Sequence, residues 1–252
     1  MKKVLILLLF IVNSLTAQNE SSIFDTANNL YKEDKIEEAI TAYKEIEEKG
    51  LISSELYYNL GNSYYKLNKV GPSIYYYEKA LKLNPLNEDV KNNLIFAKRL
   101  ALDNIEELPK TVFQKFNSNY LQKLSYNQWA IAVIIFSFLG SFLFLLYYFT
   151  TTPGKKRFYF TTSSISFILM VIVLLITINQ YTFTKNNKEA IIFAEESEIR
   201  NAPTLTSEEV FKLHEGTKVI VLDAVDDWKK IKIADGKIGW VISEELKLLN
   251  DF

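Results

Sequence analysis

The sequence predicts a multidomain chain: an all-α repeat solenoid, two transmembrane helices and a C-terminal all-β barrel. Three observations carry that prediction. Helix-patterned segments recur at an interval of 34 residues in the first hundred positions. Two uncharged apolar stretches, Trp129–Phe149 and Phe158–Tyr181, follow them. From Lys188 onward the chain turns to short runs rich in β-branched and aromatic residues, separated by turn signals.

At the start, Met1-Lys2-Lys3 precedes the apolar run Val4–Val12 and then Ser14-Leu15-Thr16-Ala17. A positive start, a short apolar core and a small residue before a polar chain describe a secretory signal, placed here at residues 1–17. An uncleaved anchor is the alternative, and it would export the same downstream residues. The chain has no cysteine. A lipid-modified cysteine, disulfides, thiol redox chemistry, covalent haem and thiolate metal sites are therefore excluded.

Residues 20–108 are predicted as two helical repeats with a capping helix. The second repeat reads Tyr57-Tyr58-Asn59-Leu60-Gly61-Asn62-Ser63-Tyr64-Tyr65, then Ser73, Tyr77, Ala80 and Asn84-Pro85. Gly61 and Ser73 allow close approach of two helices, Tyr64 and Tyr77 fill the space between them, and Pro85 ends the second helix. This pattern resembles the tetratricopeptide repeat. Shifted back by one period, Ala27 falls under Gly61, Ala39 under Ser73, Tyr43 under Tyr77 and Ile46 under Ala80. The first repeat should place helices at about Ile23–Glu33 and Ile36–Lys49. Residues 88–107 open a third unit, with Asn93 and Leu94 in register, but lack its second helix and are expected to cap the array. Such arrays bind peptides on the face made by the first helix of each repeat. Phe24, Asn28, Tyr31, Tyr58, Asn59, Asn62, Tyr65 and Asn93 are the candidates there, with packing within and between repeats as the competing role.

Leu108-Pro109 ends the helical region and opens a linker over residues 109–128. Within it Val112, Phe113, Phe116, Tyr120, Leu121 and Leu124 recur at helical spacing. That stripe suits a membrane surface, or packing against the repeats. The spans, residues 129–149 and 158–181, each have the roughly 20 apolar residues that crossing a bilayer requires. Between them, residues 150–157 carry Lys155, Lys156 and Arg157, and the positive-inside bias predicts a cytoplasmic loop. Both flanking regions then lie in the periplasm of a two-pass inner-membrane protein. Neither span holds an ionisable group, which disfavours a transport path. Ser137, Gly140, Ser141 and the run Thr161–Ser166 offer small and hydroxylic surfaces for close helix packing.

Residues 189–250 are predicted as a barrel, with strands at Ala190–Ala194, Ser197–Arg200, Lys218–Asp223, Trp228–Ile233 and Gly239–Ile242. The segments Val210–Val219, Asp226-Asp227-Trp228 and Gly236-Lys237-Ile238-Gly239-Trp240-Val241 resemble bacterial SH3-like domains. Trp228 beside Asp226 and Asp227 is the candidate ligand contact, weighed against barrel packing for both tryptophans. His214 is the only histidine and has no partner set for a metal site or a proton relay.

Residues 18–126 carry 14 Lys and Arg against 16 Asp and Glu, and residues 185–252 carry 10 against 14. Neither soluble region has the basic face that nucleic acid requires. No phosphate-binding glycine loop, histidine pair or nucleophile–base set is visible, so the sequence predicts no catalytic residue, cofactor or metal. The order of modules resembles the BatE-type aerotolerance proteins. That resemblance implies an envelope scaffold for oxidative-stress tolerance, working with von Willebrand-type and repeat-bearing membrane partners and a cytoplasmic MoxR-type ATPase. A cell-envelope protein that binds peptidoglycan peptides through its SH3-like domain is the alternative.

Overall fold

A computed structural model describes residues 23–106 and 108–249. The expected signal segment lies outside the described residues. The described chain divides into two compact units. The first contains 23–83, 87–106, 108 and 189–249, and the second contains 84–86 and 109–188.

In the first unit five helices follow one another: α1 (23–32), α2 (Ile36–Glu48), α3 (Ser54–Lys66), α4 (Val70–Leu83) and α5 (Glu88–Lys98). Ser53 and Asn87 start α3 and α5 by accepting the backbone N–H of Leu56 and Val90. Each satisfies a donor that the first turn leaves unpaired. The helices close on a core of Ala27, Ala39, Tyr43, Leu60, Tyr77 and Ala80, all fully buried. These are positions the 34-residue register selects. Gly61 shows why: a Cβ there would stand 2.5 Å from the Tyr77 ring. The capping helix is α5, which ends at Lys98, short of the predicted residue 107.

The C-terminal part of this unit is an antiparallel sheet in the order β3-β2-β6-β5-β4-β1-β7. Its strands are β1 (Lys188–Ile192), β2 (Glu196–Arg200), β3 (Glu209–His214), β4 (Lys218–Val225), β5 (Trp228–Lys232), β6 (Ile238–Ile242) and β7 (Leu246–Leu248). All five predicted strands have counterparts. β3 and the short β7 are additional, β7 being only three residues long and too brief to show alternation. Asp226 and Asp227 are the two-residue hairpin turn between β4 and β5, with Asp226 at φ 48°. A left-handed residue suits the twist of the strands it joins, and Asp tolerates that conformation. Ala190, Ile192, Ile199, Leu213, Val219, Ile231 and Val241 fill the interior.

The second unit contains α6 (Val112–Phe116), a wide helical turn at Asn117–Leu121, α7 (Tyr126–Phe149) and α8 (Pro153–Asn186). Helices α7 and α8 are long and apolar enough to cross a membrane. The connection between them is Thr150–Thr152, shorter than the predicted 150–157. Pro153 opens α8 because its missing N–H costs nothing in a first turn. Lys155, Lys156 and Arg157 thus stand on the first turns of α8. At 1.5 Å per residue α8 is about 51 Å long, more than the hydrocarbon core it would span. The helices pack through the small residues: Ser163 Oγ donates to the Gly140 carbonyl at 2.9 Å and Ser166 Oγ to that of Phe136 at 2.9 Å. Gly140 faces the Phe167 ring, which a Cβ would meet at 3.2 Å.

Candidate functional site

The eight residues proposed for the repeat groove fall into a repeated polar motif. Asn28 Oδ1 accepts from the Tyr43 hydroxyl at 2.7 Å and from Asn59 Nδ2 at 2.9 Å. One period later Asn62 Oδ1 accepts from the Tyr77 hydroxyl at 2.7 Å and from Asn93 Nδ2 at 2.8 Å. Each asparagine joins the two helices of its own repeat and the first helix of the next. Burial pushes the Tyr43 phenol up to about 12, and it raises that of Tyr77 as well. Both phenols stay neutral donors.

The aromatic candidates are also engaged. The Phe24 ring lies 5.9 Å from that of Tyr43, and Tyr58 repeats the contact on Tyr77 at 6.2 Å. Tyr58 also accepts from Asn93 at 3.2 Å, and Tyr31 lies under Lys66 Nζ at 4.5 Å. Tyr65 is exposed. Seven of the eight candidates thus make contacts within or between the repeats, and Tyr65 is the most exposed of the eight.

Sequence reasoning did not identify where the repeats meet the β-sheet within the first unit. Helix α4 is buried from Ser73 to Ala80. One face packs on α3, and the helix also meets Ile191 of β1, Phe193 and Leu249. Ala190 and Ile192 point into the sheet's core, while Ile191 and Leu249 belong to the helical core. Phe193 meets the Tyr75 ring edge-on at 5.3 Å, and the Tyr75 hydroxyl donates to the Leu248 carbonyl at 3.3 Å. The run Ile74-Tyr75-Tyr76-Tyr77 was the available signal, because a helix apolar all round is buried all round.

Polar contacts fix the register of this junction. Glu78 accepts from Lys98 at 2.8 Å and Lys218 at 2.9 Å. Lys218 also pairs with Glu189 at 3.0 Å, which pairs with Lys82 at 2.9 Å. Burial alone would raise the Glu78 carboxyl, but Lys218 and Lys98 outweigh it and hold the group down to about 2. The same balance, with Lys218 and Lys82, lowers Glu189.

Glu215 Oε2 accepts the Gly71 N–H at 3.1 Å, so a residue of the β-module caps the start of α4. Asp103 accepts the His214 N–H at 2.7 Å, contacts His214 Nδ1 at 2.7 Å and accepts from the Thr217 hydroxyl. His214 is therefore a structural residue of the junction. Gly216, at φ 87°, lies under Ile74, where a Cβ would be 2.8 Å from Ile74 Cδ1.

On the sheet's outer face, cross-strand pairing sets Trp228 opposite Ile242 and Lys230 opposite Trp240. Both tryptophans are half-buried, and Lys230 Nζ lies 5.8 Å from the Trp240 ring centroid. Asp226 and Asp227 are exposed at the adjoining turn. This surface brings the three predicted SH3-like contacts together at one end of the sheet. Among the described residues no cluster of three or more His, Asp or Glu could hold a metal.

Comparison with known families agrees with this geometry. Residues 54–87 match the tetratricopeptide repeat family and residues 197–247 the bacterial SH3 domain family. No curated protein matches the chain. Both families are typically non-catalytic interaction modules, and in sequence the tetratricopeptide repeat precedes, and the bacterial SH3 domain follows, two long apolar helices.

Proposed function

We propose that the protein is a non-enzymatic, membrane-anchored scaffold that presents its repeat and SH3-like modules together in the periplasm. The observation that carries this reading is the core that α4 shares with Ile191 of β1 and with Leu249 just after β7. Two segments far apart in sequence can share a core only on the same side of a membrane, and two crossings return the chain to that side. The basic residues at the start of α8 favour the cytoplasm for the connection between the helices. The partners are other membrane or periplasmic proteins, in keeping with a Bat-type aerotolerance system. Affinity capture of the full chain from native membranes should recover von Willebrand-type membrane proteins. Recovery of abundant bystanders alone would overturn the assignment. Tyr65→Ala is the informative groove variant, because Asn62 also supports the fold and its loss would confuse binding with stability.

A second reading rests on the half-exposed Trp228 and Trp240 beside exposed carboxylates. Here the SH3-like module docks on peptidoglycan peptides. Detergent-solubilised full chain should then sediment with purified cell wall, and Trp228→Ala should remain in the supernatant.

A further inference from the structure

The segment that precedes α7 exposes more apolar surface than its length explains. Val112 is 82% exposed, Phe113 88%, Phe116 53% and Tyr120 63%. The helix that carries them is deliberately started: the Thr111 side chain accepts the Gln114 N–H, and the Gln114 side chain accepts the Thr111 N–H. The Phe116 and Tyr120 rings lie 5.1 Å apart, forming a continuous aromatic patch. A soluble surface rarely leaves such a patch open without a partner.

The other side of the same segment is tied to the long apolar helices. Asn117 Oδ1 accepts from Gln180 Nε2 of α8 at 2.9 Å. The Leu121 carbonyl accepts from the Trp129 indole of α7 at 2.9 Å. Tyr126 and Tyr181 meet edge-on at 5.7 Å next to these bonds. Trp and Tyr gather where hydrocarbon gives way to headgroups, so this cluster marks the membrane boundary of the helix pair.

We propose that residues 111–121 lie in the plane of the membrane surface, with Val112, Phe113, Phe116 and Tyr120 inserted at the headgroup boundary. The occupant of the patch is lipid. The exposed apolar surface resumes on α7 at Ile131, Ile134 and Ile135, so a protein cover would have to sit in the lipid interface itself. Gln114 and Lys115 hold the polar side, as an interfacial helix requires. The proposal rests on α7 and α8 spanning the bilayer.

The chain's lack of cysteine makes the test direct, since one introduced cysteine carries one spin label. Full-length Phe113→Cys, Lys115→Cys and Ile135→Cys are labelled in vesicles of phosphatidylethanolamine and phosphatidylglycerol. Collisions with oxygen, which partitions into lipid, are compared with collisions with an aqueous nickel chelate. The label at 135 should favour oxygen strongly, the label at 113 several-fold over the label at 115, and the label at 115 should favour nickel. A lipid-facing 135 with equal aqueous exposure at 113 and 115 overturns the surface helix and leaves the spans intact. Shielding of 113 from both reagents means a protein cover and also overturns it. An aqueous 135 overturns the spanning reading and this proposal with it. Val112→Cys repeats the measurement if the Phe113 variant fails to insert.

Discussion

Gly61 shows how much one residue decides in the repeat. The space a Cβ would need is filled by the fully buried Tyr77 ring, whose hydroxyl is committed to Asn62. Gly61→Ala should cost about 1–3 kcal/mol, the range for overpacking a close-packed site. The check is the midpoint of chemical denaturation against wild type, and an unchanged midpoint would refute the packing account. Glu78 decides as much at the junction. Removing one partner of a buried pair leaves the others uncompensated. Glu78→Ala should cost about 3 kcal/mol, at the low end for such pairs because Lys98 and Lys218 retain solvent contact.

The same group predicts a pH dependence. Glu78, Glu189 and Asp103 all sit below their ordinary range in the fold, Asp103 because donors from Thr217 and His214 outweigh its burial. A carboxylate lowered on folding stabilises the native state above its unfolded value, roughly pH 4.3 for Glu and 3.9 for Asp. That contribution disappears as pH falls toward the folded value, about 2 for Glu78. Stability of the repeat–sheet unit should therefore decline between about pH 5 and about pH 2, and Glu78→Gln should flatten the decline. Denaturation midpoints measured across that interval give the slope, and parallel slopes for the two proteins would remove Glu78 from the account.

At the scale of elements, two packing arrangements are decided by side-chain type. Gly140 brings α7 against Phe167, and its carbonyl receives the Ser163 hydroxyl. In the proposed membrane setting no hydrophobic effect draws helices together, so such contacts carry the association. Gly140→Leu should separate the pair and lower the thermal midpoint of the detergent-solubilised chain. Ser163→Ala should have a smaller effect, about 0.6 kcal/mol, the average for a hydrogen bond between membrane helices. Equal effects would mean that close packing at Gly140 holds the helices no more strongly than the single hydrogen bond does. Strand β1 is the second case. Its apolar run Ala190-Ile191-Ile192 is buried on both faces, toward the sheet on one and toward α4 on the other. A continuous apolar run rather than an alternating one is the sequence mark of a strand covered on both sides.

At the scale of the molecule, the shared core constrains topology. Alkaline phosphatase, which is active only after export, should be active when fused after Phe252 and inactive when fused at Thr151. Activity in the second fusion alone would put both modules in the cytoplasm. Opposite locations for the first residues of α1 and the last of β7 would contradict the junction itself.

The sequence by itself determined the repeat, the two apolar helices, most strands and the absence of cysteine chemistry. These depend on periodicity, length and composition, which are local properties. It also named the residues of the polar ladder, Asn28, Asn59, Asn62 and Asn93, but left open whether they bind a ligand or hold the repeats together. Only the tertiary structure showed the contacts they make within and between the repeats, since these depend on where Tyr43 and Tyr77 aim their hydroxyls. It alone also joined the repeat to the sheet. Lys218 lies 140 residues from Glu78 and His214 lies 111 from Asp103. No local pattern encodes pairs at that separation, because their energy is realised only once both modules are folded and the water between them is gone.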